Sequence, residues 1–437
     1  MPEKKVLVIT YYFPPMGMGG VQRVAKFVKY LPRFGWHPVV LTVKDVEYFS
    51  HDPSLLEDIP KGVKITRSGS LDPLRVLFLS KKLFKAKKRG DQKTTKVYAA
   101  KRPNFLSWFL FPDNKIGWLP WALAKGFLLC KRERIDLIFS TSPPVTAHLL
   151  GCLLKLFTGV RWVSDYRDLW GGGYQDEYLP TPFHWWLKTR LQRTFLRKAD
   201  GVVCVNELLC QKLKETEIRS RESVTIQSGF DSEDFRSSRK AEAGFFKIVY
   251  MGTFSPDHNP EPFFAALSHL LRENVIPKNK VEFFHVGLCA GINLESLSTK
   301  YDLGDVVKTK GYLPHKEAVK FIGDAHLFLL AITPQKKGEV IITGKIFEYL
   351  AARRPILAVV PPKGAAARII NQFKAGKVAS PEDILEIKET LFYFYQKFEK
   401  KEIVSEVKAD DLKLFEREHL TFRLAKLFQT VLEKYRS

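Results

Sequence analysis

The chain has 437 residues, 45% of them hydrophobic and 27% charged, with a formal net charge of +23 at pH 7. That length exceeds what one hydrophobic core usually spans, so two domains are expected, and the ordinary apolar-to-charged balance excludes a disordered or fibrous chain. The positive excess points to anionic partners: acidic lipid headgroups, nucleic acid or phosphorylated small molecules.

Only a short apolar run separates Lys5 from Tyr11 and Pro14, too brief for the core of a signal peptide. Val6-Leu7-Val8-Ile9-Thr10 predicts a buried strand. After Gly17-Met18-Gly19-Gly20, the residues Val21, Val24, Ala25, Val28 and Leu31 recur at helical spacing, and the run from Pro38 to Val43 predicts a second strand. Strand, helix and strand at this spacing form a βαβ unit, and continuously apolar strands imply a parallel sheet covered on both faces. The glycines let a ligand approach the backbone at a helix N-terminus, where free N–H groups favour an anion; the same glycines read equally as a tight turn. The spacing is neither the dinucleotide fingerprint nor a P-loop.

From Lys81 to Arg102 there are ten Lys or Arg against a single acid, Asp91, and Phe105, Trp108, Phe109, Phe111, Trp118 and Trp121 follow. Such a segment suits an anionic membrane surface; the alternative is a solvated loop followed by core aromatics. Further strands are expected at 136–141, 162–164 and 201–205, and Trp185 to Lys198 predicts an amphipathic helix with a basic face. The apolar stretch 147–157 is broken by Lys155 and falls short of the roughly 18 residues of a spanning helix. Cys130, Cys152, Cys204, Cys210 and Cys289 form no metal-ligand cluster or C-x-x-C pair, which fits a reducing compartment.

The polar stretch Asp231 to Gly244 reads as an interdomain connection. A second strand series follows at 246–251, 281–286, 326–332 and 355–360, and Leu412, Phe415, Leu420, Leu424 and Leu427 predict a C-terminal amphipathic helix. Before the strand at 355, Gly344 and Lys345 begin a predicted helix with Glu348 one turn in. That arrangement offers a cation and a helix N-terminus to a diphosphate, and a carboxylate to sugar hydroxyls; the alternative is a Glu favoured there by the helix dipole alone.

Four segments together, Tyr11-Tyr-Phe-Pro-Pro-x-Gly-x-Gly-Gly-Val-Gln-Arg23, Phe139-Ser-Thr-Ser-Pro-Pro-x-Thr-Ala-His148, Ser164-Asp-Tyr-Arg-Asp-Leu-Trp170 and Gly344-Lys-Ile-Phe-Glu-Tyr-Leu-Ala351, resemble retaining glycosyltransferases of family 4. The resemblance spans nearly the whole chain. It implies the GT-B fold, two Rossmann-like α/β domains whose parallel sheets face across a cleft. Residues 1–235 would form an acceptor domain and 245–405 a nucleotide-sugar donor domain, with 406–437 packing back toward the first. It also implies transfer of a sugar from a UDP- or GDP-sugar to a saccharide or lipid-linked acceptor with retention, without metal or other cofactor, in a cytoplasmic enzyme peripheral to the inner face of the membrane. No compact nucleic-acid signature accompanies the charge.

By the same resemblance Gly19 and Gly20 line the cleft, Gly252, Thr253, Gly344 and Lys345 lie at the diphosphate, Glu348 binds the donor ribose, and His148 or Asp165 sits near the transferred sugar. A lone helical His is equally readable as structural. Two departures stand out. Family members often carry an acid eight residues before the ribose-binding Glu, where this chain has Val340, with Glu339 one step away. Many also place an Arg and a Lys after the first strand of the donor domain. Here Gly252 to His258 has neither, leaving Lys345 and Arg368 to supply the charge. The alternatives are a UDP-sugar 2-epimerase of the same fold and a non-enzymatic basic membrane-surface adaptor.

Overall fold

A computed structural model describes residues 4–46, 48, 50–73, 75–76, 78–79, 110–168, 170, 181–216, 222–235, 244–334, 339 and 342–434. The basic run from Lys81 to Arg102, the aromatics Phe105, Trp108 and Phe109, and Val340 lie outside the described residues. The chain divides into two compact units. One runs as far as Gln227 and resumes at Arg417; the other is Ser228–Glu416.

In the first unit, strands β1 (Lys4–Ile9), β2 (Trp36–Val43), β3 (Lys64–Ser68), β4 (Leu137–Ser142), β5 (Arg161–Tyr166), β6 (Gly201–Cys204) and β7 (Glu222–Thr225) form one parallel sheet in the order β3-β2-β1-β4-β5-β6-β7. The connecting helices are α1 (Gly19–Tyr30), α2 (Leu119–Arg132), α3 (Thr146–Thr158), α4 (Pro182–Lys198) and α5 (Glu207–Thr216). β1, β2, β4, β5 and β6 are buried along most of their length because helices cover both faces, the polar Ser140, Thr141, Ser142, Ser164 and Asp165 of β4 and β5 included.

One of those covers comes from the far end of the chain. The C-terminal helix, Arg417–Lys434, packs against α1 and β5 to β7. Its Phe428 ring meets Trp36 at 5.2 Å and Phe139 at 5.4 Å between centroids, and Val431 would stand 3.1 Å from a Cβ at Gly201. Trp118 is fully buried, with its indole N–H donating to Ser68 Oγ at 2.7 Å. It belongs to the core and not to an exposed aromatic surface; Trp121, three residues on, is exposed.

The second unit repeats the plan with β8 (Phe246–Met251), β9 (Val281–Val286), β10 (Val307–Gly311), β11 (Leu327–Ala331), β12 (Ile356–Val359) and β13 (Gly376–Ala379), all parallel in the order β10-β9-β8-β11-β12-β13. Its helices are α6 (Glu261–Arg272), α7 (Leu294–Lys300), α8 (His315–Gly323), α9 (Lys345–Ala352), α10 (Ala365–Gln372) and α11 (Ile384–Glu399). Entry into and exit from this unit are tied together, the Phe230 N–H donating to the Phe415 carbonyl at 3.0 Å.

Strand order reverses between β1 and β4 in the first sheet and between β8 and β11 in the second. In open parallel sheets the crevice at such a point, beyond the carboxyl ends of the strands, is where ligands bind.

Candidate active site

The first unit's reversal point is bordered by the loops after β1 and β4. In the β1 loop Met18 takes φ 78° and ψ 159°, a conformation that non-glycine residues rarely hold and that costs on the order of 1–3 kcal/mol. It is followed by Gly19 and Gly20, both exposed at the first turn of α1, whose N-terminus has no side-chain cap. The Gly19 and Gly20 amides, first in the helix, have no intrahelical acceptor, whereas Val21 and Gln22 already donate to the Met18 carbonyl. A Cβ at Gly19 would meet nothing within 4 Å, whereas one at Gly20 would lie 2.3 Å from Arg167 Nη1. Arg167 occupies the space a side chain would fill. It donates to the carbonyls of Gly20 (2.8 Å), Ser142 (3.1 Å) and Pro143 (2.6 Å), pinning the glycine loop to the β4 loop.

Asp165 and His148 lie beneath this surface. Asp165, on β5, is fully buried in an ion pair with Arg23 of α1. Nη2 lies 2.8 Å from Oδ1, Nε is 3.3 Å from Oδ2, and Thr141 adds a hydroxyl at 2.7 Å. The remaining Arg23 amino group donates to the Gln227 carbonyl at 2.7 Å. These contacts tie the carboxylate to α1 through Arg23 and to the neighbouring strand β4 through Thr141.

His148 is likewise without exposed surface. The Trp162 indole donates to Ser140 Oγ at 2.8 Å, and His148 Nδ1 shares a hydrogen bond with the same oxygen at 2.9 Å. The other ring nitrogen, Nε2, has no hydrogen-bond partner among the described residues. Burial drives the His148 pKa down to about 3, opposed only in part by Asp165. Wedged against Tyr166, Trp162 and Phe195, the ring is a neutral core element. The expectation that either residue touches the transferred sugar is corrected on this geometry: neither presents an atom to a ligand.

In the second unit the reversal point gathers residues from four elements. β8 ends in Gly252, at φ 129°, where a Cβ would lie 2.8 Å from Lys345 Nζ. The loop stays close to β9 because that strand also ends in glycine: a Cβ at Gly287 would stand 2.1 Å from the Gly252 oxygen. Tyr250, Phe254 and His285 form a stack, with centroids 3.9 Å apart between the first two and 4.5 Å between the last two. His285 Nε2 lies 3.0 Å from the Gly252 oxygen and Nδ1 lies 3.3 Å from Thr309 Oγ1.

Lys345, the first residue of α9, points its ammonium into this group. Nζ donates to the Tyr250 hydroxyl at 2.7 Å and sits 4.1 Å from that ring's centroid; the Tyr250 hydroxyl in turn lies 3.2 Å from the Thr253 oxygen. Neither partner is an anion. Desolvation lowers the Lys345 pKa to about 7, against a weaker opposing pull from Glu348. His258, whose Nδ1 meets the Ala331 carbonyl at 2.9 Å, and His285 are both held down to about 4, chiefly by burial and further by Lys345. Both are neutral at physiological pH.

Gly344 caps α9 without a side-chain bond, and Glu348 is nearly buried one turn along. Arg368 stands exposed on α10 and is not among the contacts of Lys345. Among the described residues, Lys345 is the cation in contact with the group at the β8 end. Glu339 is exposed, and its carbonyl accepts the Ala365 N–H that opens α10 at 2.7 Å. Among the described residues no three His, Cys, Asp or Glu side chains gather in a metal-binding group. No described helix is long and apolar enough to cross a membrane.

Two parallel-sheet α/β units with loop sites at their reversal points define the GT-B architecture. Among solved structures, a sucrose-phosphate synthase from Thermosynechococcus elongatus matches at 15% identity and TM-score 0.67 over 99% of this chain and 100% of that one. Anabaena HepE in complex with UDP and glucose matches at 14% identity and TM-score 0.64, covering 98% and 100%. A putative UDP-N-acetylglucosamine 2-epimerase from Listeria monocytogenes matches at 10% and 0.56, covering 99% and 97%. No curated protein sequence matches the chain. Residues 18–229 match the family model described as a glycosyl transferase 4-like domain, so this chain carries a glycosyl transferase domain.

Proposed function

We propose that the protein transfers a sugar from a nucleoside-diphosphate sugar, UDP- or GDP-linked, to a saccharide or lipid-linked acceptor, with retention at the anomeric carbon. The observation that carries this reading is the Lys345 ammonium, desolvated beside Gly252 at a helix N-terminus without a side-chain cap, where it donates to a hydroxyl, lies against an aromatic face and feels a weaker pull from Glu348. A half-buried, desolvated cation whose charge is incompletely balanced is costly, and a diphosphate would supply an anion there. HepE, of the same fold, was solved with UDP, with UDP and glucose, and with UDP-glucose.

In the reaction, the bond between the anomeric carbon and the diphosphate oxygen breaks, and negative charge grows on the departing phosphate. The Lys345 ammonium and the positive end of the α9 dipole face that charge, which lowers the barrier without reorganisation. Gly252 and Thr253 line the same phosphate position, and Glu348 accepts hydrogen bonds from the ribose hydroxyls. The Gly19 and Gly20 amides are open to an oxygen of donor or acceptor. Arg368 contributes long-range charge only. The enzyme acts in the cytoplasm at the inner face of the membrane, where lipid-linked acceptors are found and the basic run 81–102 meets anionic lipid.

Calorimetric titration with UDP, GDP, ADP and TDP tests the donor class; a protein that binds none of them ends this reading. The likeness to an epimerase gives a second reading, reversal of configuration at the sugar C2. Incubation with UDP-N-acetylglucosamine and no acceptor separates the two, because an epimerase converts it and a transferase does not.

A further inference from the structure

Helix α4, Pro182–Lys198, carries Lys188, Arg190, Arg193, Arg197 and Lys198 and no acidic residue over 17 residues. Its inner side is set by His184, Lys188, Phe195 and Leu196, all buried. The opposite side repeats at alternating steps of three and four: Phe183, Trp186, Arg190, Arg193 and Arg197 form one stripe along the helix. Every member of the stripe is exposed, Phe183 at 61% and Trp186 at 54%. The two rings stack on each other at 5.7 Å, and the Arg190 guanidinium lies 5.4 Å from the Trp186 centroid. Trp185, also exposed, covers the Lys188 ammonium at 4.4 Å.

Large exposed rings rimmed by one sign of charge mark an interaction surface. The composition selects among partners. A second copy of the same stripe would set arginines against arginines. A single-stranded nucleic acid would engage the arginines and stack bases on Phe183 and Trp186, but would leave the exposed apolar Leu156 and Phe157 beside them without a partner. An anionic bilayer satisfies both parts of the stripe, with aromatic rings settling at headgroup depth and guanidinium groups on long stems reaching lipid phosphates. The neighbouring helix α3, packed beside α4, also has no acidic residue and exposes Leu156 and Phe157 in its last turn.

We infer that the outer stripe of α4 is the face on which the first unit docks to an anionic lipid surface, its aromatic end inserting at the headgroup boundary and its arginine end lying along the phosphates. This rests on the reading of a membrane surface as partner, and adds the element and its orientation.

The test is co-sedimentation with phosphatidylcholine vesicles, with and without phosphatidylglycerol. Wild type is expected to bind the anionic vesicles at low salt. Phe183→Ser with Trp186→Ser should weaken that binding at least tenfold. Arg190→Gln with Arg193→Gln should weaken it by about fivefold per charge removed and flatten its salt dependence. The four side chains changed are exposed, so both variants should keep the wild-type melting temperature and nucleotide affinity. Salt-sensitive vesicle binding that both variants retain in full overturns the assignment to α4 while leaving a membrane partner in place. Wild type that ignores anionic vesicles overturns both. Preference for a single-stranded oligonucleotide over vesicles, lost in the same variants, assigns the stripe to nucleic acid and overturns the inference.

Discussion

The Lys345 ammonium and the Tyr250 phenol form a pair in which the cation has a hydroxyl at 2.7 Å and a ring face at 4.1 Å, while the hydroxyl is directed to the Thr253 carbonyl. Tyr250 holds the lysine stem where a phosphate would arrive, without neutralising it. The site is thus poised for an anion at the cost of an easily lost proton.

That cost makes donor binding pH-dependent. With the Lys345 pKa near 7, a growing share of the free protein is neutral at this position above pH 7. A bound diphosphate raises that pKa, so binding takes up a proton, and affinity should fall with pH above 7 toward a limiting tenfold per unit. Titration calorimetry at pH 8 in two buffers of different ionisation enthalpy should register the uptake, and Lys345→Arg should abolish it because guanidinium stays charged. The effect on folding has the opposite sign. The unfolded chain binds the proton up to about 10.5 and the folded chain only to about 7, so this residue makes the fold more stable as pH rises through that window.

Glu348→Ala removes a charged acceptor and is expected to lower kcat/KM for the donor by about 10- to 150-fold, the equivalent of roughly 1.5–3 kcal/mol. A glutamate that served only the helix dipole would cost about 0.3–1 kcal/mol of stability and leave nucleotide affinity unchanged. Calorimetry on the folded variant separates the outcomes.

Gly252→Ala places a methyl group 2.8 Å from Lys345 Nζ at a φ of 129°. The ammonium, at the end of a flexible stem, yields first, so nucleotide affinity should drop more than stability. Gly287→Ala instead drives a methyl into the Gly252 carbonyl at 2.1 Å, where backbone must move. Its melting temperature should fall well below that of Gly252→Ala.

Removing one partner from the Arg23–Asp165 pair strands a buried charge, and Asp165→Ala is expected to cost about 3–5 kcal/mol in a denaturant titration. Arg23→Met combined with Asp165→Leu should recover much of that loss and retain activity. Failure of a well-folded double variant to turn over would instead give Asp165 a direct part in catalysis. His148→Phe should destabilise by about 1–3 kcal/mol, because Ser140 loses its buried hydrogen bond to the ring, with kcat little changed once folded.

The interior strands are legible in the sequence and the edges are not. β1, β2, β4, β5 and β6, and β8, β9, β11 and β12, each carry a short apolar run because helices cover both faces. The strands without a sequence signal, β3, β7, β10 and β13, are the outermost of the two sheets, and their half-exposed Lys, Glu, Thr and Ser erase the apolar run. In the candidate site the glycines and the Lys345 to Glu348 turn were readable because local spacing puts them at a helix start. The Tyr250, Phe254 and His285 stack was not, since it is assembled from two strand ends and looks like core residues in each. His148 and Asp165 belong to recognisable segments, but whether a residue near a strand end faces out or in depends on partners such as Ser140 and Arg23 far along the chain.

The helix Arg417–Lys434 completes the first unit's core only after the whole second unit has been synthesised. Until it emerges from the ribosome, the face of β5 to β7 and the rings of Trp36 and Phe139 that it covers have no lid. The first unit therefore waits, with a sticky surface open, through the translation of nearly two hundred residues, counted from Ser228 to Glu416. At about 5–20 residues per second that is an interval of roughly 10–40 s. Chaperone dependence during synthesis should accordingly concentrate on this face, and placing residues 417–434 ahead of β1 by circular permutation should shorten the exposure.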